Sequence, residues 1–270
     1  MKKIRSLYSI INILSVDVAL GAVCSALFFA KLLHVTILPY GLISLGLSVW
    51  IIYTADHLLD ASKMSIEAST ARHRFHQQHF KTLSILCSIA ALGTAVMICF
   101  IRKPVFVGGV VLVAVVGVYL LAHRFVKFPK EIFIAILYTS GVLLPSASVT
   151  LITLSQWPWS LIIQFTLTAF LNLILFSWFD RVSDHRDGSM SFVTTMGEKN
   201  SVIVIWIVPG LNALLLVVSS DLVASSILIL MNIILILIFI KQESLRKGEA
   251  FRLIGDAVFL LPILYLLFTT

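Results

Sequence analysis

The chain has 270 residues, 59% of them hydrophobic and only 12% charged, with a formal net charge of +7. A soluble domain carries about 25% charged residues, so this composition, with a mean hydropathy of +1.04, excludes a soluble globule. Backbone groups in lipid must bond within helices or closed barrels, and the apolar runs here are continuous rather than alternating, so an all-α polytopic membrane protein is expected.

The opening MKKIR has the charge of a signal-peptide n-region, but the run behind it is too long for an h-region, which predicts a retained first helix. Nine apolar segments follow, at about 11–33, 36–58, 81–101, 104–122, 132–154, 158–179, 201–219, 222–240 and 252–268. Each is near the ~20 residues that cross ~30 Å of hydrocarbon. Together they predict nine transmembrane helices in a single membrane domain, 1–270. Pro104, Pro158 and KFPK at 127–130 punctuate the segment boundaries, as helix breakers should. Of the 20 Lys and Arg, 17 lie in the N-terminus and in the loops after segments 2, 4, 6 and 8. The positive-inside rule then places the N-terminus in the cytoplasm and the C-terminus outside. Basic residues distributed this way, without interleaved aromatics, argue for a lipid bilayer as partner and against nucleic acid. Cys24, Cys87 and Cys99 lie in apolar runs without CxxC spacing. They are expected to be small buried hydrophobes.

Segment 2 ends in VWIIYTADHLLD (49–60) and segment 6 in FSWFDRVSDHRD (176–187). Both carry the pattern Asp, basic residue, apolar residue, any residue, Asp. Residues four apart share a helix face, so Asp56 projects with Asp60, and Asp180 with Asp184. Asp187, two turns past Asp180, joins them if the helix continues that far. Like charges at a membrane boundary need a cationic partner. Mg²⁺ suits them, since it takes one or two carboxylates and fills its other positions with water and phosphate oxygens. Two facing pairs would hold metal on either side of a diphosphate and neutralise it as it leaves. A polyprenyl diphosphate offers that head, with a tail for a greasy cavity. Heterolysis of its allylic C–O bond gives a carbocation that ring faces shelter. Tyr53, Trp178 and Phe179 lie within one turn of the acids.

These features resemble the UbiA superfamily of intramembrane prenyltransferases, whose nine helices and paired acidic motifs would cover essentially the whole chain. The family's first motif, NDxxDxxxD, falls here on Ile52, Tyr53, Asp56 and Asp60, with Ile-Tyr in place of the leading Asn-Asp. Its second, DxxxD-type motif is matched by Asp180 and Asp184, while Asp187 stands one position short of a further acid found in many members. Thr194, Thr195 and Gly197 resemble the Thr…Gly stretch that commonly follows. Tyr119 and Arg124 resemble a YxxxK element, with His123 at the Lys position and Lys127 and Lys130 nearby. The resemblance implies Mg²⁺-dependent transfer of a prenyl group to a lipophilic, aromatic or quinone-type acceptor. Asp56, Asp60, Asp180, Asp184 and Asp187 would hold metal. Arg72, Arg74, Tyr119, Arg124, Lys127 and Lys130 would hold the diphosphate, with arginine offering bidentate contacts.

ARHRFHQQHF (71–80) predicts a cap helix near the headgroups, with His73, His76 and His79 along one face. Asp17 and Asp256 are acids inside apolar segments. Arg252, four residues before Asp256, is its expected local partner. Asn172, two turns before Asp180, is a candidate for the cavity wall. Two other readings remain open: a transporter using the acids as an ion path, and a non-catalytic relative. Transporters favour midplane charges and broken helices, whereas these acids close their segments.

Overall fold

The computed structural model describes residues 2–63, 71–122, 130–186, 190–246 and 249–269, with side chains described for all of these except 2–7, 60, 63, 71, 73 and 120–122. Every regular element among them is helical. In chain order they are α1 (Lys2–Ile13), α2 (Val16–Leu32), α3 (Pro39–Lys63), α4 (Ala71–Gln78), α5 (Phe80–Ile98), α6 (Lys103–Ala122) and α7 (Lys130–Ala147). There follow α8 (Trp159–Arg186), α9 (Phe192–Met196), α10 (Glu198–Val217), α11 (Leu222–Ile240), α12 (Gln242–Arg246), α13 (Ala250–Ala257) and α14 (Ile263–Phe268).

Each of the nine expected segments holds a helix, but seven spans among the described residues are long and apolar enough to cross a membrane. They begin at Pro39, Phe80, Lys130, Trp159, Glu198, Leu222 and Ala250. The other two are α2 and α6. The first segment is cut at Ser15, whose left-handed φ of 55° separates α1 from α2. That leaves α2 with 17 residues, about 26 Å at 1.5 Å per residue. α6 runs over 20 residues, with Lys103–Tyr119 as its apolar stretch among the described residues. The last span bends through a 3-10 turn at Val258–Leu260 before Pro262. Proline has no N–H to donate and cannot continue the ladder.

Two helices run further than their apolar runs predict. α3 continues past residue 58 to Lys63, and α8 past residue 179 to Arg186. Both acidic motifs therefore lie on helix, not beyond it.

α8 is the central post. In its apolar window 61% of residues are buried, against 22% for α3. Phe165, Leu171, Ile174 and Leu175 are almost wholly enclosed, and α8 packs on α7, α10 and α11. α3 pairs with α5 and α2, and α2 reaches α7 and the last span, which joins the two sides. Edge-to-face rings mark that join: Phe29–Phe165 at 5.2 Å and Phe165–Phe259 at 5.8 Å between centroids. Gly21 permits it, because a Cβ there would meet the Phe259 Cβ at 2.9 Å.

A neutral polar ladder crosses the apolar core between α8, α10 and α11. Gln164 Nε2 donates to the Asn212 carbonyl at 2.8 Å, and Ser225 Oγ donates to Gln164 Oε1 at 2.9 Å. Asn212 Nδ2 donates to Asn232 Oδ1 at 3.0 Å, and Asn232 Nδ2 donates to Thr168 Oγ1 at 2.8 Å. The outward faces of α5 and α6 are apolar and exposed, Leu92 and Val113 among them, as suits helices bathed in lipid. The cysteines differ from expectation. Cys24 and Cys87 are half-buried and Cys99 is exposed, because Cys99 ends α5 and that helix turns most of its surface outward.

Candidate active site

A cavity of about 270 Å³ opens where the polar ends of α3, α4, α7, α8 and α13 meet. Asp56 enters it from α3, Asp180 and Asp184 from α8, Arg72 from α4 and Lys130 from the start of α7. Five residues expected to act together thus share one cavity, although they come from four helices. Ile134, Leu173 and Phe176 supply an apolar wall. Arg252, Glu131, His57, Ser177 and Ser191 complete the lining. None of these five was among the residues expected at the site.

Arg252 reaches Asp180 rather than the expected Asp256. Its Nη2 lies 2.5 Å from Asp180 Oδ2. The guanidinium also stands over the Phe176 and Phe251 rings, at 5.4 and 5.2 Å from their centroids. Among the described residues no hydrogen bond is given to Asp180 Oδ1. The i,i+4 pairing with Asp256 fails because Asp256 has a stronger cluster on its other side. Arg72 Nη2 lies 3.3 Å from Asp256 Oδ2 and donates to the main-chain carbonyl and Oδ1 of Asn12, both at 3.0 Å. Asn12 Nδ2 donates to Asp256 Oδ2 at 2.8 Å and to Asp17 Oδ2 at 2.6 Å. Tyr8 donates to Asp17 at 3.4 Å and to the Leu253 carbonyl at 3.3 Å. Burial, then the carboxylates of Asp17 and Asp256, push the Tyr8 phenol up from its ordinary range. α1, α2, α4 and α13 are thereby tied around one guanidinium, which is almost fully buried and still lines the cavity. Asp17, which has no local partner in sequence, finds it here.

α4 forms over residues expected to be a cap helix. His76 Nδ1 lies 2.8 Å from the Arg72 carbonyl, and the His76 ring lies 5.1 Å from that of His57. His76 and His79 differ in burial. His76 is buried, whereas His79 is exposed and precedes α5. The His73 side chain lies outside the described residues, as do the Asp60 side chain, Arg124, Lys127 and Asp187.

Several other expected residues do not line the cavity. Arg74 is exposed. Tyr119 stacks on Phe133 at 4.2 Å. Tyr53 faces the His57 ring at 6.5 Å. Trp178 donates to Gln242 Oε1 at 2.7 Å and carries Arg181 over its ring, while Phe179 stacks on Phe251 at 4.0 Å. Phe176 is the aromatic residue in the wall. Asn172 lies one turn deeper and packs on Gly255, where a Cβ would meet Asn172 Oδ1 at 2.7 Å. Ile52, at the family's Asn position, is 62% exposed and outside the cavity, so its surroundings call for an apolar side chain.

Among the described residues no three His, Cys, Asp or Glu side chains converge closely enough to hold a metal ion by themselves. Acids from two helices nevertheless face one cavity beside cationic residues. That donor chemistry fits a divalent ion that shares its coordination with the oxygens of a bound phosphate.

The chain matches no protein-family model and no curated protein. Among solved structures it is similar to a digeranylgeranylglyceryl phosphate synthase in membranes, with a TM-score of 0.53 over 98% of each chain and 14% identity. At that identity the likeness is one of fold. The chain is an integral, multi-pass membrane protein whose helical fold is similar to that of this synthase.

Proposed function

We propose that the protein is an intramembrane prenyltransferase, moving a prenyl group from a polyprenyl diphosphate to a lipophilic acceptor. The observation that carries this reading is the meeting, in one cavity, of Asp56 with Asp180 and Asp184, beside Arg72 and Lys130 and below an apolar wall. Phosphate needs cations, and a prenyl chain needs a hydrocarbon surface. The cavity offers both. The synthase with the similar fold carries geranylgeranyl groups in the name of its product, which supports the donor class.

Arg72 and Lys130 bind the diphosphate, and the network of Asn12 and Asp256 keeps Arg72 in place. Arg252 holds Asp180 in one orientation. Phe176 presents an apolar, aromatic surface to the allylic end. Asp56 and Asp184, with Asp180 Oδ1, would hold Mg²⁺. When bound, Mg²⁺ neutralises the charge that develops on the departing diphosphate. The charge asymmetry of the loops supports a cytoplasmic position for this end of the bundle.

The test uses the purified chain in nanodiscs with labelled farnesyl and geranylgeranyl diphosphates and Mg²⁺. Diphosphate binding should raise the melting temperature, and EDTA should reverse the gain. Asp56→Ala and Asp180→Ala should each lose it. The reading fails if no donor binds in the presence of Mg²⁺ and both variants behave as the parent does. Reporter fusions in the 60–80 loop should report the cytoplasm, and an external signal there would overturn the orientation.

A further inference from the structure

Arg252 lines the cavity from α13 and meets Asp180 of α8, its Nη2 lying 2.5 Å from Asp180 Oδ2. A guanidinium carries five N–H donors. Among the described residues Arg252 makes no hydrogen bond except the one to Asp180. Glu249 Oε2 lies 3.9 Å from its Nε, beyond hydrogen-bond reach. The rings of Phe176 and Phe251 meet its charge, at 5.4 and 5.2 Å from their centroids, without accepting a conventional hydrogen bond. The side chain is only 17% exposed. Spare donors on a mostly buried cation that lines a cavity call for an anion with several acceptor oxygens.

The same contact limits how metal can sit. Paired acids at two helix ends suggest one divalent ion on each side of a diphosphate. One ion drawing on Asp56, Asp184 and Asp180 Oδ1 uses every aspartate of the lining. A second would need Asp180 Oδ2, which Arg252 holds. It would have to displace a guanidinium backed by two rings and Glu249, or share one carboxylate with it at like charge. The remaining acid of the lining, Glu131, accepts the Phe192 N–H on Oε1 at 2.8 Å. On α3, Ile52 and Tyr53 stand where the family has Asn-Asp, and neither lines the cavity.

We propose that Arg252 takes the place of the second ion in a two-ion clamp: it hydrogen-bonds the diphosphate directly, and the site binds one divalent ion with its substrate instead of two. This rests on the prenyl-transfer reading above and deepens it at the same site. The guanidinium offers positive charge to the leaving group as an ion does. Being part of the fold, it is in position before substrate and metal arrive. The metal dependence of donor binding is therefore that of a single ion.

The test counts ions rather than turnover. The full chain in phosphatidylcholine nanodiscs is titrated with Mn²⁺ in the presence of geranylgeranyl diphosphate and without acceptor, and unbound Mn²⁺ is read by electron paramagnetic resonance. Empty nanodiscs with the same diphosphate give the blank. The parent should take up one Mn²⁺ per chain. Arg252→Met removes both the charge and the donors. At low Mn²⁺ its affinity for the diphosphate should fall at least about tenfold, the size of one charge-assisted hydrogen bond. At high Mn²⁺ the affinity should recover as a second ion enters beside Asp180. Two Mn²⁺ in the parent overturn the proposal. A single Mn²⁺ in Arg252→Met at every concentration overturns it too, as does an unchanged diphosphate affinity. A purely structural role for Arg252 would lower the melting temperature of the empty protein and leave the ion count at one. If Arg252→Met does not fold, the parent count and Arg252→Gln, which is neutral, decide the matter. A parent that takes up no Mn²⁺ with the diphosphate would sink the transfer reading and this proposal with it, whereas a count of two sinks this proposal alone.

Discussion

The ends of α3 and α8 carry the same spacing of acids in different surroundings. α8 is enclosed by neighbours, and its Asp180 is fixed by Arg252, itself backed by two aromatic rings. α3 shows most of its apolar window to the outside, and Asp56 is exposed at the cavity mouth. One end is held rigid by the fold. The other is the more exposed, with an exposed Ile52 one turn before Asp56. A repeated motif thus fixes which groups face the cavity, while packing decides which of them also supports the structure.

That contrast is breakable by substitution. Removing an electrostatic group from a preorganised site typically costs about 10²–10³ in rate. Asp56→Ala and Asp180→Ala should both fall by that order in a prenyl-transfer assay. Their stabilities should separate. Asp180 and Arg252 are 26% and 17% exposed, so removing Asp180 leaves a mostly buried guanidinium with the longer ion pair to Glu249 at 3.9 Å. The cost should be about 2 kcal/mol, reduced from the fully buried case by partial solvation. Arg252→Met placed on Asp180→Ala should recover much of that stability without recovering activity. Asp56 is exposed, so Asp56→Ala should cost less, within the roughly 0–1 kcal/mol of a surface charge. Equal destabilisation by the two substitutions would erase the distinction between the ends.

The next effect concerns the network around Arg72. Asn12→Ala leaves Asp17 and Asp256 without their shared amide donor. A buried polar group left unpaired costs about 1–3 kcal/mol, so the melting temperature should drop measurably. Diphosphate affinity should fall with it, because Arg72 loses its hydrogen bond to Asn12 Oδ1 and keeps only the one to the main-chain carbonyl of that residue. Asn12→Asp keeps an acceptor for Arg72 but adds a third buried acid, and should be worse than Ala. Inorganic pyrophosphate titration with Mg²⁺, followed by melting temperature, reads both effects.

What the sequence shows and what it hides divide along the same line. Asp56, Asp180 and Asp184 were legible because helix spacing and loop charge are one-dimensional properties, and Arg72 and Lys130 followed from their loops. The seven strong spans were legible too, while the cut at Ser15 was not, since no Pro or Gly marks it. Arg252 and Glu131 were missed because their roles arise between helices far apart in the chain. Arg252 reads as the local partner of Asp256, yet it reaches Asp180, 72 residues away, and Asp256 pairs with Arg72, 184 residues away. Spacing rules describe one helix at a time. Once several helices share a buried corner, the lower-energy pairing is the one that leaves fewest charges unmatched.

The smallest effect should come from the other buried polar system, the ladder of Gln164, Thr168, Asn212, Ser225 and Asn232. It is as buried as the Arg72 network but carries no charge and does not line the cavity. Hydrogen bonds between membrane helices average about 0.6 kcal/mol in double-mutant cycles. Thr168→Val removes the hydroxyl that accepts from Asn232 Nδ2, but that amide also donates to the Leu228 carbonyl at 2.8 Å, so its donor is not stranded. Thr168→Val should therefore shift stability by well under 1 kcal/mol, with kcat and KM unchanged. The same comparison made at Asn12 should move both stability and diphosphate affinity. If Thr168→Val instead impairs transfer while the bundle stays folded, the ladder takes part in the chemistry, and the division between a charged working corner and a neutral structural seam is wrong.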